Sequence, residues 1–255
     1  MITLTQGDCL VELKKIQDNS VDLVLTSPPY NKNGFRGHKD TSKGRGRWNG
    51  SDISYGEYQD DMDEQKYQDW QVATLDECYR VIKENGSIFY NHKIRRAGGA
   101  ASHPMEWILR SKAKFYQQII WNRKSGPDHN LGYLDPITEL VFWLVKGTPK
   151  CHKHKDWATE VWNIPATPTA DNHPAPFPKK LCTAVLLTVT DEGDTVLDCF
   201  CGSGTAGVVS KELGRSFIGF ELSQTYFDMA KKRIDDTLCG HGNSLKGLVN
   251  VKKDS

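Results

Sequence analysis

Long hydrophobic runs are missing from this sequence. No stretch approaches the roughly 18 consecutive apolar residues that a membrane helix needs. The N-terminus MITLTQGDCL also lacks the basic and apolar regions of a secretory signal peptide. We therefore expect no membrane association and a cytoplasmic location.

An excess of charge of one sign is missing too, and so is any paired cysteine motif. Lys and Arg together number 33 against 32 for Asp and Glu, so the overall charge does not indicate a nucleic-acid partner. The 7 cysteines are scattered without a CxxC pair, which argues against a disulfide framework and a zinc ribbon. The segment CHKH offers only Cys151, His152 and His154 at crowded spacing, so we predict no metal site.

The length and composition of the chain are typical of one globular domain. The chain has 255 residues, of which 38% are hydrophobic and 25% charged, and a chain of this length commonly forms a single core. Short apolar β-rich runs such as VDLVLT at 21–26 and SIFYN at 87–91 alternate with helical patterns. We expect an α/β domain over 1–255 with a Rossmann-like, doubly wound, mostly parallel sheet.

Three stretches lack a strand or helix pattern. Residues 31–56 and 147–175 are rich in Gly, Pro, Asn, Lys and His and are predicted to be irregular. Residues 238–255 are predicted to form a loose C-terminal tail.

The helical pattern that includes Tyr67 is predicted to end at Asn85-Gly86.

A glycine-rich loop follows the run TVLDCF at 195–200. It reads GSGTAG from Gly202, a GxGxxG pattern between a predicted strand and a predicted helix, and Glu221 ends the next predicted strand. Glycines let the backbone approach a ligand, and an acid at this place can bind both hydroxyls of a ribose. The loop, with Gly204 and Thr205, predicts a nucleoside-containing cofactor; the alternative is a tight turn without a ligand.

The glycine pattern alone is compatible with NAD and with S-adenosylmethionine (AdoMet). Asp198 lies at the end of the strand before the loop. A carboxylate there would repel the pyrophosphate of NAD but would attract the ammonium group of AdoMet. We therefore expect AdoMet, and an NAD-dependent oxidoreductase is the alternative.

The run TSPPY at 26–30 directly follows the apolar strand VDLVL, at the strand end where ligand clefts open in this architecture. Pro28 and Pro29 offer carbonyl oxygens without N–H donors, and Ser27 and the ring of Tyr30 lie beside them. This acceptor-rich edge suits a planar amine. The alternative is a rigid turn that ends a strand.

Together, TSPPY and DCFCGSG at 198–204 resemble the motifs of the amino-group DNA methyltransferases, which methylate exocyclic nitrogens of cytosine or adenine with AdoMet. Since TSPPY precedes the glycine motif, the sequence resembles the circularly permuted β group of that family, and the resemblance covers most of the chain. It implies the class I AdoMet-dependent methyltransferase fold. It also implies a catalytic motif that consists of Ser27, Pro28, Pro29 and Tyr30.

The resemblance implies a cofactor site as well. Gly7 and Asp8 match a short motif that contacts the adenosine, and HPAPFPKKL at 173–181 matches the motif that closes the methionine end of the pocket. Phe200 belongs to the family's FxGxG motif. The cofactor residues so implied are Asp8, His173, Phe177, Asp198, Phe200, Gly202, Gly204, Thr205 and Glu221.

In this family the hydroxyl of Ser27 and the carbonyl of Pro28 would accept hydrogen bonds from the target amine while Tyr30 stacks on the base. The target nucleotide must flip out of the duplex to reach them. Serine at this position and the HPAPFP form both resemble the cytosine-N4 members, whereas many adenine-N6 members carry aspartate and HPTQKP. The resemblance favours cytosine-N4, with adenine-N6 as the alternative.

Double-stranded DNA is the expected partner. Residues 31–56 are predicted to form a basic loop that contacts DNA, and residues 147–172 a short target-recognition insertion. The candidate DNA-binding residues are Lys32, Arg36, Lys39, Lys43, Arg45, Arg47, Trp48, Lys153 and Lys155.

Several matters stay open at this point. The sequence leaves a homodimer and a cognate restriction endonuclease open as further partners. RNA or a protein glutamine as substrate, and a non-catalytic nucleic-acid-binding module, are the remaining alternatives.

Overall fold

The structure is a computed structural model that describes residues 1–31, 62–97, 100–124, 134–166 and 177–239. The helices are α1 Cys9–Leu13, α2 Glu64–Val81, α3 Met105–Ile108, α4 Lys179–Val189, α5 Thr205–Glu212 and α6 Gln224–Asp235. The strands are β1 Ile2–Gln6, β2 Val21–Thr26, β3 Ile82–His92, β4 Arg95–Ala97, β5 Ala100–Ser102, β6 Lys114–Asn122, β7 Thr138–Val145, β8 Val161–Asn163, β9 Thr195–Asp198 and β10 Ser216–Glu221.

Eight of these strands form one sheet in the order β1-β10-β9-β2-β3-β7-β6-β8. The first five are parallel to one another, β7 is antiparallel to β3 and to β6, and β8 is parallel to β6. Strand β2 lies in the middle, and all of its residues are buried, as is typical of a parallel strand covered on both faces. The predicted Rossmann-like, mostly parallel α/β sheet is confirmed.

Side chains alternate between the two faces of the sheet and enter two hydrophobic clusters. Leu23 and Leu25 of β2 belong to the cluster that holds the buried hydrophobic residues of α4, α5 and α6. Val24, between them, belongs to the cluster that holds the buried hydrophobic residues of α1, α2 and α3. Because residues one apart on a strand point to opposite faces, helices cover the sheet on both sides.

The predicted end of the helix at Asn85-Gly86 is wrong. Helix α2 ends at Val81, and Ile82 is already extended and pairs with Val21 of β2. The ladder is irregular between Ile82 and Ser87, so Asn85 and Gly86 lie in a bulged part of β3 rather than at a helix end.

The segment predicted to be irregular at 147–175 contains ordered structure. Lys155–Trp157 form a short 3₁₀ turn, and β8 adds an edge strand to the sheet beside β6. Trp162 of β8 is buried among the core residues, which explains why this short strand docks on the sheet. The other described residues of the three segments, 31, 147–154, 158–160, 164–166 and 238–239, lie in neither a helix nor a strand, as predicted. The rest of these segments, 32–56, 167–175 and 240–255, lies outside the described residues.

In the part of the chain that the structure describes, no helix combines the length and the apolar character needed to cross a membrane.

Candidate active site

A cavity of about 280 Å³ opens at the carboxyl ends of the parallel strands. It brings together the TSPPY run, which follows β2, and the DCFCGSG run, which follows β9. These strands are parallel neighbours, with Val24 opposite Leu197, so both runs emerge at the same edge of the sheet. The sequence-predicted residues that line the cavity are Asp8, Ser27, Pro28, Pro29, Tyr30, Phe177, Asp198, Phe200, Gly202, Thr205 and Glu221.

Of the predicted cofactor residues that the structure describes, Gly204 alone does not line this cavity. Gly204 lies behind the loop, where a Cβ atom would come within 2.9 Å of Ala230 on α6. It has φ 79°, a left-handed conformation in which side chains other than glycine are strained. Its role is therefore to let α6 approach the loop. His173 lies outside the described residues.

Glu221, at the end of β10, holds the glycine loop in place. Its Oε2 accepts the backbone N–H of Gly202 at 2.7 Å, and its Oε1 accepts that of Ser223 at 2.9 Å. Burial raises the pKa of this carboxyl, and hydrogen bonds from backbone N–H groups oppose that effect. Each carboxylate oxygen has a second lone pair, so the group can still accept hydroxyl groups of a ribose.

Asp198, at the end of β9, is only 3% exposed. Its Oδ1 accepts the hydroxyl of Thr26 at 2.8 Å and the backbone N–H of Phe200 at 3.1 Å. Burial nevertheless raises the pKa of the carboxyl to about 7. A cationic group in the cavity would stabilise the carboxylate, so the site fits the ammonium group of AdoMet.

Asp8 has a structural role that the motif did not indicate. It caps the N-terminus of α1, where its Oδ1 accepts the backbone N–H of Leu10 at 3.0 Å and of Val11 at 3.1 Å. It also lines the cavity.

The proline loop is held from behind by Tyr67 of α2, which is fully buried. The Tyr67 hydroxyl donates to the carbonyl of Pro29 at 2.8 Å and lies 2.7 Å from Nε2 of His92. The ring of His92 packs against the ring of Tyr30, with centroids 4.5 Å apart. The loop is thus positioned by an aromatic cluster that connects α2 with β3.

Polar residues that the sequence analysis missed surround the hydroxyl groups of Ser27 and Tyr30. Oδ1 of Asn91 accepts the Tyr30 hydroxyl at 2.9 Å and the Ser27 hydroxyl at 3.3 Å, and the two hydroxyl oxygens are 3.0 Å apart. Oε2 of Glu139 lies 3.4 Å from the Tyr30 hydroxyl, and its Oε1 accepts the guanidinium of Arg123 at 3.0 Å. Asn91, Arg123 and Glu139 all line the cavity.

The position of Asn91 at the end of the predicted strand SIFYN was the one available signal for its role. Glu139 and Arg123 gave no comparable signal, because β7 and β6 bring them to the site through antiparallel pairing.

The predicted DNA-binding residues are only partly described. Lys153 and Lys155 are exposed and do not line the cavity. The others, Lys32, Arg36, Lys39, Lys43, Arg45, Arg47 and Trp48, lie outside the described residues.

The nearby histidines have partners of their own. His152 lies 3.2 Å from Asp191, and His154 stacks on Trp157 with ring centroids 4.5 Å apart. Among the residues that the structure describes, no cluster of His, Cys, Asp and Glu has the arrangement of a metal site.

A family model described as DNA methylase, of the N6 and N4 type, matches residues 21–232. The chain belongs to this family of DNA methyltransferases. The methyltransferase is 27% identical to the DNA adenine methyltransferase YhdJ of Escherichia coli K12, over 98% of this chain and 87% of that protein. It is 30% identical to the type II methyltransferase M.HinfI of Haemophilus influenzae, over 91% of this chain and 68% of that protein.

Solved structures agree on the fold. The cytosine-N4-specific PvuII DNA methyltransferase superposes with a TM-score of 0.72 at 21% identity, over 91% of this chain and 86% of that chain. TTHA0409 of Thermus thermophilus, a structure in complex with AdoMet, superposes with a TM-score of 0.69 at 20% identity, over 94% of this chain and 96% of that chain. The methyltransferase has the AdoMet-dependent methyltransferase fold.

The family also decides between the two cofactors that the glycine pattern left open. The methyltransferase uses AdoMet, and the alternative of an NAD-dependent oxidoreductase is set aside.

Proposed function

We propose that this DNA methyltransferase transfers a methyl group to the exocyclic N4 amine of a cytosine that is flipped out of double-stranded DNA. The observation that carries the proposal is that Ser27 lines the cavity. The Tyr30 hydroxyl and Asn91 Oδ1 both lie within hydrogen-bonding distance of the Ser27 hydroxyl. A neutral acceptor of this kind, next to proline carbonyls, suits an amine that must donate its hydrogens.

AdoMet supplies the methyl group on a sulfonium centre. We assign its ammonium end to Asp198 and its ribose to Glu221. Asp8 would contact the adenosine, and Phe177 and Phe200 would contact the apolar surface of the cofactor. Gly202 and Thr205 provide the close backbone approach, while Gly204 shapes the loop.

The target amine is a poor nucleophile while its lone pair is delocalised into the base. We assign Ser27 Oγ and the carbonyl of Pro28 as acceptors that draw the amine toward tetrahedral geometry. The ring of Tyr30 would stack on the base and offset part of the cost of flipping, which is roughly a few kcal/mol. The loop is positioned for this by the hydrogen bond from Tyr67 to Pro29. Catalysis then depends on positioning and electrostatics.

The choice of cytosine rests on the serine and on the HPAPFP segment, both of which resemble the cytosine-N4 members. The names of similar proteins do not agree on the base, since YhdJ is an adenine methyltransferase and the PvuII enzyme is specific for cytosine N4. Adenine N6 is therefore the second candidate.

We further propose that the basic segment 31–56 and the segment 147–172, with Lys153 and Lys155, contact DNA. The names of M.HinfI and M2.DpnII as type II methyltransferases support a cognate restriction endonuclease as a partner in the same system. We also propose that the protein is cytoplasmic and forms a homodimer.

The test is incubation of the purified protein with labelled AdoMet and mixed-sequence duplex DNA, followed by mass spectrometry of the digested nucleosides. N4-methylcytosine is the expected product. N6-methyladenine would overturn the choice of base and keep the family. Ser27→Ala is the control, because it keeps the cavity but removes the proposed acceptor.

A further inference from the structure

We propose that Asn91 is a positioning residue that orients the hydroxyl hydrogens of Ser27 and Tyr30 so that Ser27 can act only as an acceptor toward the target amine. The inference rests on the proposed role of Ser27 and adds the group that makes this role possible. Asn91 is 1% exposed, on β3 beside the proline loop.

The orientation of the Asn91 amide is determined by the sheet. Its Nδ2 donates to the backbone carbonyl of Leu140 on β7 at 3.0 Å. A carbonyl oxygen can only accept, so the nitrogen must face Leu140 and Oδ1 must face the two hydroxyl groups. The amide therefore presents an acceptor, and no donor, to Ser27 and Tyr30.

The hydrogens of the cluster can then be counted. Ser27 and Tyr30 have one hydroxyl hydrogen each, and the Tyr30 hydrogen has acceptors at Asn91 Oδ1 and at Glu139 Oε2. The Ser27 hydrogen has acceptors at Asn91 Oδ1 and at the Tyr30 oxygen. Both hydrogens can be used inside the cluster. Even where Tyr30 donates to Ser27 Oγ, the other lone pair of that oxygen remains for a ligand in the cavity.

This arrangement has a consequence for specificity. A serine hydroxyl is by nature a donor as well as an acceptor, unlike an aspartate carboxylate. Were its hydrogen free to rotate into the cavity, Ser27 could bind an exocyclic carbonyl as well as an exocyclic amine. With the hydrogen directed to Asn91 or Tyr30, a base with a carbonyl at that position meets only acceptors and is rejected. Asn91 thus gives the serine the acceptor character that a carboxylate has intrinsically.

Two variants of Asn91 distinguish the loss of its hydrogen-bond acceptor from a change in side-chain packing. Asn91→Leu keeps a similar volume and removes the acceptor, and we expect kcat to fall roughly 10- to 100-fold, the cost of an unsatisfied buried hydrogen bond. The KM for DNA and the Kd for AdoMet should change less than about threefold, because Asn91 acts through Ser27. Asn91→Asp keeps an acceptor oxygen toward the two hydroxyl groups, but it can donate to the Leu140 carbonyl only while its buried carboxyl is protonated. At about pH 6 or below its kcat should therefore exceed that of Asn91→Leu by at least about fivefold.

Gln71→Leu is the matched control. Gln71 is fully buried, and its Oε1 accepts the hydroxyl of Tyr90 at 2.8 Å, but it does not line the cavity. Leucine at this position likewise removes a buried amide acceptor from a tyrosine hydroxyl, and it should lower the thermal midpoint while kcat is kept. If Asn91→Leu fails to fold, Asn91→Ala replaces it with the same thresholds.

A double-mutant cycle with Ser27→Ala shows whether Asn91 acts through the serine. We expect Asn91→Leu to reduce kcat by less than about threefold in the Ser27→Ala background, because the hydrogen it orients is gone. The proposal is overturned if the full loss persists there, if Asn91→Asp is as impaired as Asn91→Leu at about pH 6 or below, or if Asn91→Leu keeps wild-type kcat. All rates are measured on whichever amine the wild type methylates, so a product of N6-methyladenine refutes the choice of cytosine without affecting this test.

Discussion

Replacing Asp198 by asparagine should stabilise the ligand-free protein and weaken AdoMet binding. Burial raises the pKa of this carboxyl from 3.8 to about 7, a difference that corresponds to about 4 kcal/mol. The folded protein holds the proton at pH values where the unfolded chain has released it. Stability is therefore lost as pH rises from about 4 to about 7 and stays low above that range. An asparagine side chain does not ionise, so the variant does not lose stability over this pH range.

We expect the free energy of unfolding of Asp198→Asn to exceed that of the wild type by about 2 to 4 kcal/mol at pH 8, measured in urea without AdoMet. The increase in the free energy of unfolding stays below about 4 kcal/mol because the hydrogen bonds from Thr26 and Phe200 are now made to a neutral amide oxygen. At pH 4 the two free energies of unfolding should differ by less than about 1 kcal/mol. AdoMet should bind roughly 10- to 100-fold more weakly to the variant at pH 8, since a charged hydrogen bond is lost.

Asp22→Asn is the control for this experiment. Asp22 is also a buried aspartate, but it accepts Lys83 Nζ at 2.9 Å and lies outside the cavity. Its replacement leaves the lysine without its carboxylate, so stability at pH 8 should fall rather than rise. Equal pH dependence of unfolding in the wild type and Asp198→Asn would refute the reasoning about Asp198.

Three further substitutions test the remaining assignments. Glu221→Ala should weaken AdoMet binding at least tenfold by calorimetry, because it removes the ribose acceptor and releases the N–H of Gly202; unchanged affinity would contradict the ribose assignment. Tyr30→Ala should reduce methyl transfer at least 100-fold while AdoMet still binds, and wild-type turnover would exclude the stacking role. Tyr67→Phe removes the bond to the Pro29 carbonyl and should lower kcat roughly tenfold with little change in AdoMet affinity, whereas a loss confined to thermal stability would mean that the bond does not position the loop.

The sequence was enough for most of the fold. Apolar runs such as VDLVLT are strands because both faces of a central parallel strand are buried, and that requirement is visible in the residues themselves. The end of α2 was misplaced because Asn85-Gly86 is typical of both a helix terminus and a bulged strand. Only the pairing of Ile82 with Val21 distinguishes the two.

By itself, the sequence determined the motifs of the site, since TSPPY and DCFCGSG each carry their chemistry in a few consecutive residues. Only the tertiary structure decided what surrounds them. Asn91 reaches Ser27 and Tyr30 because β3 pairs parallel with β2, and Glu139 reaches Tyr30 because β7 pairs antiparallel with β3. Tyr67 reaches Pro29 because α2 packs on one face of the sheet. Such contacts join residues far apart in the chain, and no local pattern specifies which hydroxyl meets which acceptor.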